Sequence, residues 1–140
     1  MQHLGDLREP WLTPGLVDTH VPPARLMRKL RGKYPQARFI ASSRTARVSD
    51  RLFTNGDVAL CRVDGVQSAG EIYFFALIDD DAVVCVSLWQ RAPTANDSAL
   101  THNYRKVDRP QIFPLAILLS PVLYMETETT ATLLIPYMFR

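Results

Sequence analysis

An all-β fold, mainly an antiparallel small barrel or meander with one short N-terminal helix, is what this 140-residue sequence predicts. Three observations lead there. The stretch Asn55 to Gln90, NGDVALCRVDGVQSAGEIYFFALIDDDAVVCVSLWQ, holds three apolar, β-rich runs. They are separated by Asn55-Gly56-Asp57, by Asp64-Gly65 and Gly70, and by Asp79-Asp80-Asp81, which is the turn chemistry of a meander. Further β-rich runs close the chain. Finally, no helical spacing separates the strands, which excludes a doubly wound α/β fold.

Residues Met1 to Val21 show little periodicity. Trp11, Leu12, Leu16 and Val17 suit a strip of chain laid across the body, and Pro10 and Pro14 argue against a helix. Val21-Pro22-Pro23 then starts a helix spanning Pro23 to Lys33, because proline is tolerated in the first turn. Leu26, Met27 and Leu30 share one side, and Gly32 suits a C-terminal stop. Ala37 to Val48 alternates as a single strand. Val58 to Val63 is a second, and Gly70 to Ile78 is so continuously apolar that both its faces must be covered. Ala82 to Gln90 pairs with it through the Asp79-Asp80-Asp81 turn, whose carboxylates bond their own backbone. Arg91 to Pro110 reads as a polar loop, long enough to suggest function. Phe113 to Leu119, Val122 to Glu126 and Ala131 to Tyr137 are closing strands. About six strands, one helix and one long loop add up to an open or closed barrel. The division is residues 1–35, an extension with a basic helix, and residues 36–140, the β-domain.

Composition excludes several function classes. The net charge is only +2, so the whole molecule is not a polyanion binder. The charge is uneven, however: nine of the sixteen basic residues fall between Arg25 and Arg51 with one acid, Asp50. The N-terminus is too polar for a secretory signal, and the apolar run Ile112 to Met125 is broken by Pro114, Ser120 and Pro121, so no membrane span is expected. An intracellular, reducing location follows by default, with Cys61 and Cys85 as free, buried thiols and a disulfide as the minor alternative.

The order of features resembles that of a bromo-adjacent homology (BAH) domain. The matching pieces are Gly56-Asp57-Val58 opening a strand, Gly70-Glu71-Ile72 beginning the next, and Val84-Cys85-Val86-Ser87-Leu88-Trp89 where the family has a V-x-V-x-aromatic strand. A variable polar loop follows, then Pro114-Leu115-Ala116-Ile117 and Pro121-Val122. The likeness covers roughly Arg51 to Pro136. A vaguer similarity is to accessory domains of eukaryotic transposase-like proteins. The BAH resemblance implies a nuclear, chromatin-associated contact module for a histone peptide or another protein, sometimes with an aromatic cage for methyl-lysine.

The residues themselves allow such a cage. Tyr73, Trp89 and Tyr104 are the candidate ligand-binding set, since two or three aromatic faces attract a desolvated cation. The bland alternative is that these rings are core. Arg28, Arg31, Lys33, Arg44 and Arg47 are candidate contacts to DNA or RNA phosphates, with only Tyr34 and Phe39 available to stack on bases. Their alternative is a solvated basic face. His3, His20 and His102 with the two cysteines show no metal-ligand spacing, so no metal or cofactor is expected. Neither Asp18-Thr19-His20 nor Ser42-Ser43-Arg44 has a nucleophile context, and Asp79, Asp80 and Asp81 are turn residues rather than an acid–base pair. The expectation is a non-enzymatic interaction module. The alternatives are a nucleic-acid-binding accessory domain and a self-assembling β-domain in which Ile72 to Ile78 and Leu133 to Tyr137 pair edge to edge between copies.

Overall fold

The computed structural model describes residues 23–95 and 97–140. The strip expected around Trp11 to Val17 lies outside the described residues, as do His3, Asp18 and His20. Helix α1 (Ala24–Lys33) has Pro23 as its N-cap and buries Leu26 and Leu30. Gly32 lies within it rather than ending it, and the backbone N–H of Tyr34 closes the last turn on the Leu30 carbonyl.

The expected strand Ala37 to Val48 is two strands. β1 (Ile40–Ser43) and β2 (Thr45–Val48) join different sheets, and the chain breaks between them at Arg44. The Ser43 hydroxyl marks the break: it donates to the Thr45 carbonyl and accepts from the Thr45 N–H. β2 forms a two-stranded hairpin with β3 (Arg51–Thr54). Its turn residues Ser49 and Asp50 both have positive φ, at 49° and 65°.

β4 (Val58–Val63) turns through Asp64-Gly65 into β5 (Val66–Ile78), the longest strand. Gly70 was read as turn chemistry, but it lies inside β5. A Cβ there would sit 2.3 Å from the Ser87 carbonyl oxygen of the next strand, so the position needs glycine for close approach. β6 (Asp81–Leu88) runs along one side of β5. The other side is shared, with β4 beside residues 66–71 and β1 beside residues 75–78. β9 (Pro110–Pro114) and β10 (Leu118–Pro121) are the outer strands of this six-stranded sheet, and a 3-10 turn at Leu115–Ile117 joins them. They pair with β6 and β4 and not with each other, so among the described residues the sheet stays open and no barrel closes. After Leu88 the chain leaves for a second sheet. That sheet is β7 (Gln90–Arg91), β8 (Thr101–Arg105), β12 (Thr130–Leu134) and β11 (Leu123–Glu126), ordered β11-β12-β8-β7. The supposed long loop therefore contains a strand, because β8 pairs with β12 from Thr130↔Arg105 to Leu134↔Thr101.

Three apolar clusters assemble these parts. One face of the large sheet, with Ile72, Phe75, Leu77, Val84 and Val86, packs on Ala46, Val48 and Phe53 of the hairpin. The opposite face meets α1 at one end, through Phe74, Ala76, Ile78, Val83 and Cys85. At its other end Val58, Leu60 and Ala69 meet the second sheet. A register shift between Ile72 and Phe74 makes this possible. Without it Ile72 and Phe74 would share a face; with it Ile72 and Phe75 do. As expected, both faces of the apolar run are covered. Cys61 and Cys85 are free and lie in clusters on opposite faces, and burial pushes each thiol up to about 12. Among the described residues no helix is long and apolar enough to cross a membrane.

Candidate functional site

A hollow forms where the chain passes from the first sheet to the second. Trp89 sits between β6 and β7, and its backbone N–H donates to the Ala69 carbonyl at 2.8 Å. The segment Lys106 to Arg109 returns across β6 and is strapped down there. The Ser87 hydroxyl donates to the Val107 carbonyl and accepts from the Arg109 N–H at 2.7 Å, and Tyr73 donates its phenol to Asp108 at 2.5 Å. The strap leaves an opening of about 400 Å³ lined by Leu88, Trp89, Gln90, Val107, Arg109 and Gln111. Among the described residues β7 pairs only with β8, and β9 only with β6, which leaves two strand edges unpaired beside it.

Its polar lining is one-sided. The Gln90 carbonyl oxygen already accepts from Arg105, which leaves its amide N–H groups to offer. Gln111 is exposed, and so is Arg109, whose guanidinium has no carboxylate partner among the described residues. Among the described residues no acid lines the opening. The half-buried Leu88 and Val107 supply an apolar floor, with the buried Trp89 beside them. The arrangement suits an extended, acceptor-rich segment: apolar contact below, donors at the rim, a fixed positive charge at one end.

The three aromatic residues singled out from the sequence do not form a cage. Trp89 and Tyr104 do share a cluster, but at 6% and 3% exposure they are core between the sheets. Tyr124 meets Trp89 edge-on with centroids 6.3 Å apart. The Arg91 guanidinium already lies 5.7 Å from the centre of the Tyr104 ring, so that face serves an internal cation. Tyr73 packs beside the helix cluster instead. The physical reason is burial: β8 carries Tyr104 inward opposite Ala131, where the sequence suggested a solvated loop.

The basic set is divided as well. Arg28 and Arg31 are exposed on α1, while Lys33 donates to the Ile112 carbonyl at 2.7 Å and is committed to holding the helix. Arg47 is exposed on the hairpin, and Arg44 lies in the connection leading to it. Helix and hairpin cover opposite faces of the large sheet, so the five do not make one patch.

Between helix and second sheet runs a polar seam. Burial first, then the charges of Glu126 and Asp108, raise the Glu71 carboxyl above its usual range, against a lowering by Lys106. Lys106 itself pairs with Glu126. Near β8, Asp97 accepts from Arg91 and from the backbone and side-chain N–H groups of Asn103, fixing the preceding loop. His102 Nδ1 is buried without a hydrogen-bond partner among the described residues, and burial lowers this imidazole's proton affinity. Among the described residues no group of three His, Cys, Asp or Glu side chains is placed to hold a metal.

Sequence reasoning found Trp89 but missed Arg109, Gln90, Gln111 and Val107. The one available signal was the length of the Arg91 to Pro110 segment; nothing local marks which of its residues is strapped beside β6. Comparison with protein-family models and with curated proteins finds no match for this chain.

Proposed function

We propose that the chain is a non-enzymatic protein-contact module, of the kind the BAH-like resemblance implies, that holds an extended acidic segment of a partner protein against Leu88, Val107 and Arg109. Among the described residues the opening lies beside two free strand edges and has donors and one cation but no acid in its lining, which supports this reading. An unmodified histone tail is strongly basic and meets Arg109 with like charge, so a carboxylate-bearing stretch is the better ligand. The test is fluorescence anisotropy with a labelled glutamate-rich peptide and, in parallel, a basic histone-tail peptide. The acidic peptide binds, binding weakens with salt, and Arg109→Glu lowers affinity by at least ~10-fold, the scale of one charged hydrogen bond. Arg109 is exposed, so the melting midpoint stays put. Absent binding, or equal binding by the variant, overturns the proposal. Preference for the basic peptide would reverse the assigned polarity.

A second reading has its own support. α1 carries Arg25, Arg28, Lys29, Arg31 and Lys33 in ten residues without an acid. Apart from the committed Lys33, this is a compact ridge for a phosphate backbone. On that reading, charge reversal at Arg28 and Arg31 abolishes salt-sensitive DNA or RNA binding, whereas reversal at Arg44 and Arg47, on the far face, leaves it.

A further inference from the structure

We infer that β11 is the contact strand of a reversible homodimer, in which two copies join their second sheets edge to edge. This surface is separate from the opening at Trp89. The strands suggested earlier for self-pairing are ruled out by topology: β5 is paired on both sides, and β12 lies between β11 and β8. Among the described residues β11 has a partner on one side only, and all four of its residues, Leu123 to Glu126, are exposed.

Among the described residues this edge is blunted only by its shortness and by the Glu126 charge. Natural edge strands are guarded by short length, charged side chains (lysine above all), proline, a bulge or an inward charge. β11 has no lysine and no proline, and it runs in unbroken register with β12 from Leu123↔Leu134 to Glu126↔Ala131. The face beside it is apolar. Leu123 is 74%, Met125 76% and Leu134 46% exposed, and with Thr101, Tyr124 and Thr132 they line a shallow hollow of about 260 Å³.

A second copy fits this strand on three counts. Antiparallel pairing about a two-fold axis through Tyr124 sets Leu123 opposite the partner copy's Met125, and Met125 opposite its Leu123. Opposite residues share a face, so the two apolar faces become continuous across the joint. Glu126 falls opposite Val122 rather than opposite a carboxylate, and its charge is already matched by Lys106. The strand is short. Four residues and the leucine beside them fall below the ~800 Å² per partner of a standard interface, so the association is weak and concentration-dependent.

Sedimentation across a wide concentration range tests the dimer. Monomer at low concentration and dimer at high is expected, and Met125→Lys returns the chain to monomer without moving its melting midpoint, since the side chain is exposed. Register is tested by oxidation. Leu123→Cys and Met125→Cys chains cross-link when mixed, and neither cross-links alone. A monomer at every concentration overturns the inference. So does association that Met125→Lys leaves unchanged, which assigns it to another face, and so does cross-linking of either single variant alone.

Discussion

Gly70→Ala tests the packing of the two central strands. The added methyl would lie 2.3 Å from the Ser87 carbonyl oxygen and 2.9 Å from both the Ser87 carbonyl carbon and the Leu88 Cα. Each is a backbone atom, so no side-chain rotation relieves the clash. β6 cannot slide away cheaply either. Trp89 is tied to Ala69, the Ser87 hydroxyl is held by Val107 and Arg109, and Val84 and Val86 are locked in the core. Overpacking of this sort costs about 3 kcal/mol. Alanine returns about 0.7 kcal/mol by restricting the unfolded chain. The net loss of about 2 kcal/mol is a large part of the ~5–15 kcal/mol that a domain has. Urea denaturation, with midpoint and slope both fitted, measures it. Gly32→Ala is the matched control: nothing lies within 4 Å of the new Cβ, and the site is helical. There the change stabilises by up to about 1 kcal/mol. A Gly70→Ala loss under ~0.5 kcal/mol, within the range of ordinary surface substitutions, would refute the close-approach argument.

Two more outcomes follow from the fold. Ser49 and Asp50 adopt positive φ in the β2–β3 turn, a left-handed conformation that costs a non-glycine residue about 1 kcal/mol or more. The double change Ser49→Asn, Asp50→Gly restores the residue types favoured in such hairpin turns and should raise the thermal midpoint; an unchanged or lower midpoint contradicts that strain. Glu71 has its carboxyl pKa raised by folding, so its charge opposes folding, and that opposition appears as pH rises through the raised value. Glu71→Gln is accordingly more stable than the parent at neutral pH, with the advantage fading as pH falls toward and below the ordinary 4.5. Paired urea titrations across that interval check it, and an advantage independent of pH would show that charge is not the cause.

What the sequence by itself determined is local. Pro23 followed by Leu26 and Leu30 placed the helix within a residue, because capping and amphipathic spacing act over one or two turns. Asn55-Gly56 and Asp64-Gly65 placed turns, because glycine alone takes positive φ freely, as Gly56 and Gly65 do at 89° and 78°. The unbroken apolar run of β5 announced a strand covered on both faces. What only the tertiary structure decided is which surface covers which. Periodicity says that Trp89 and Tyr104 have somewhere to be buried; it cannot say that strands from the far end of the chain bury them, since β8 finds β12 across an intervening 24 residues. The same holds for Gly70, whose role depends on a carbonyl in the next strand. It holds for Arg44 and Arg31, neighbours in a basic stretch that the large sheet separates onto opposite faces. Strand pairing is a contact between distant segments, and the residues that specify it carry no local mark of their partner.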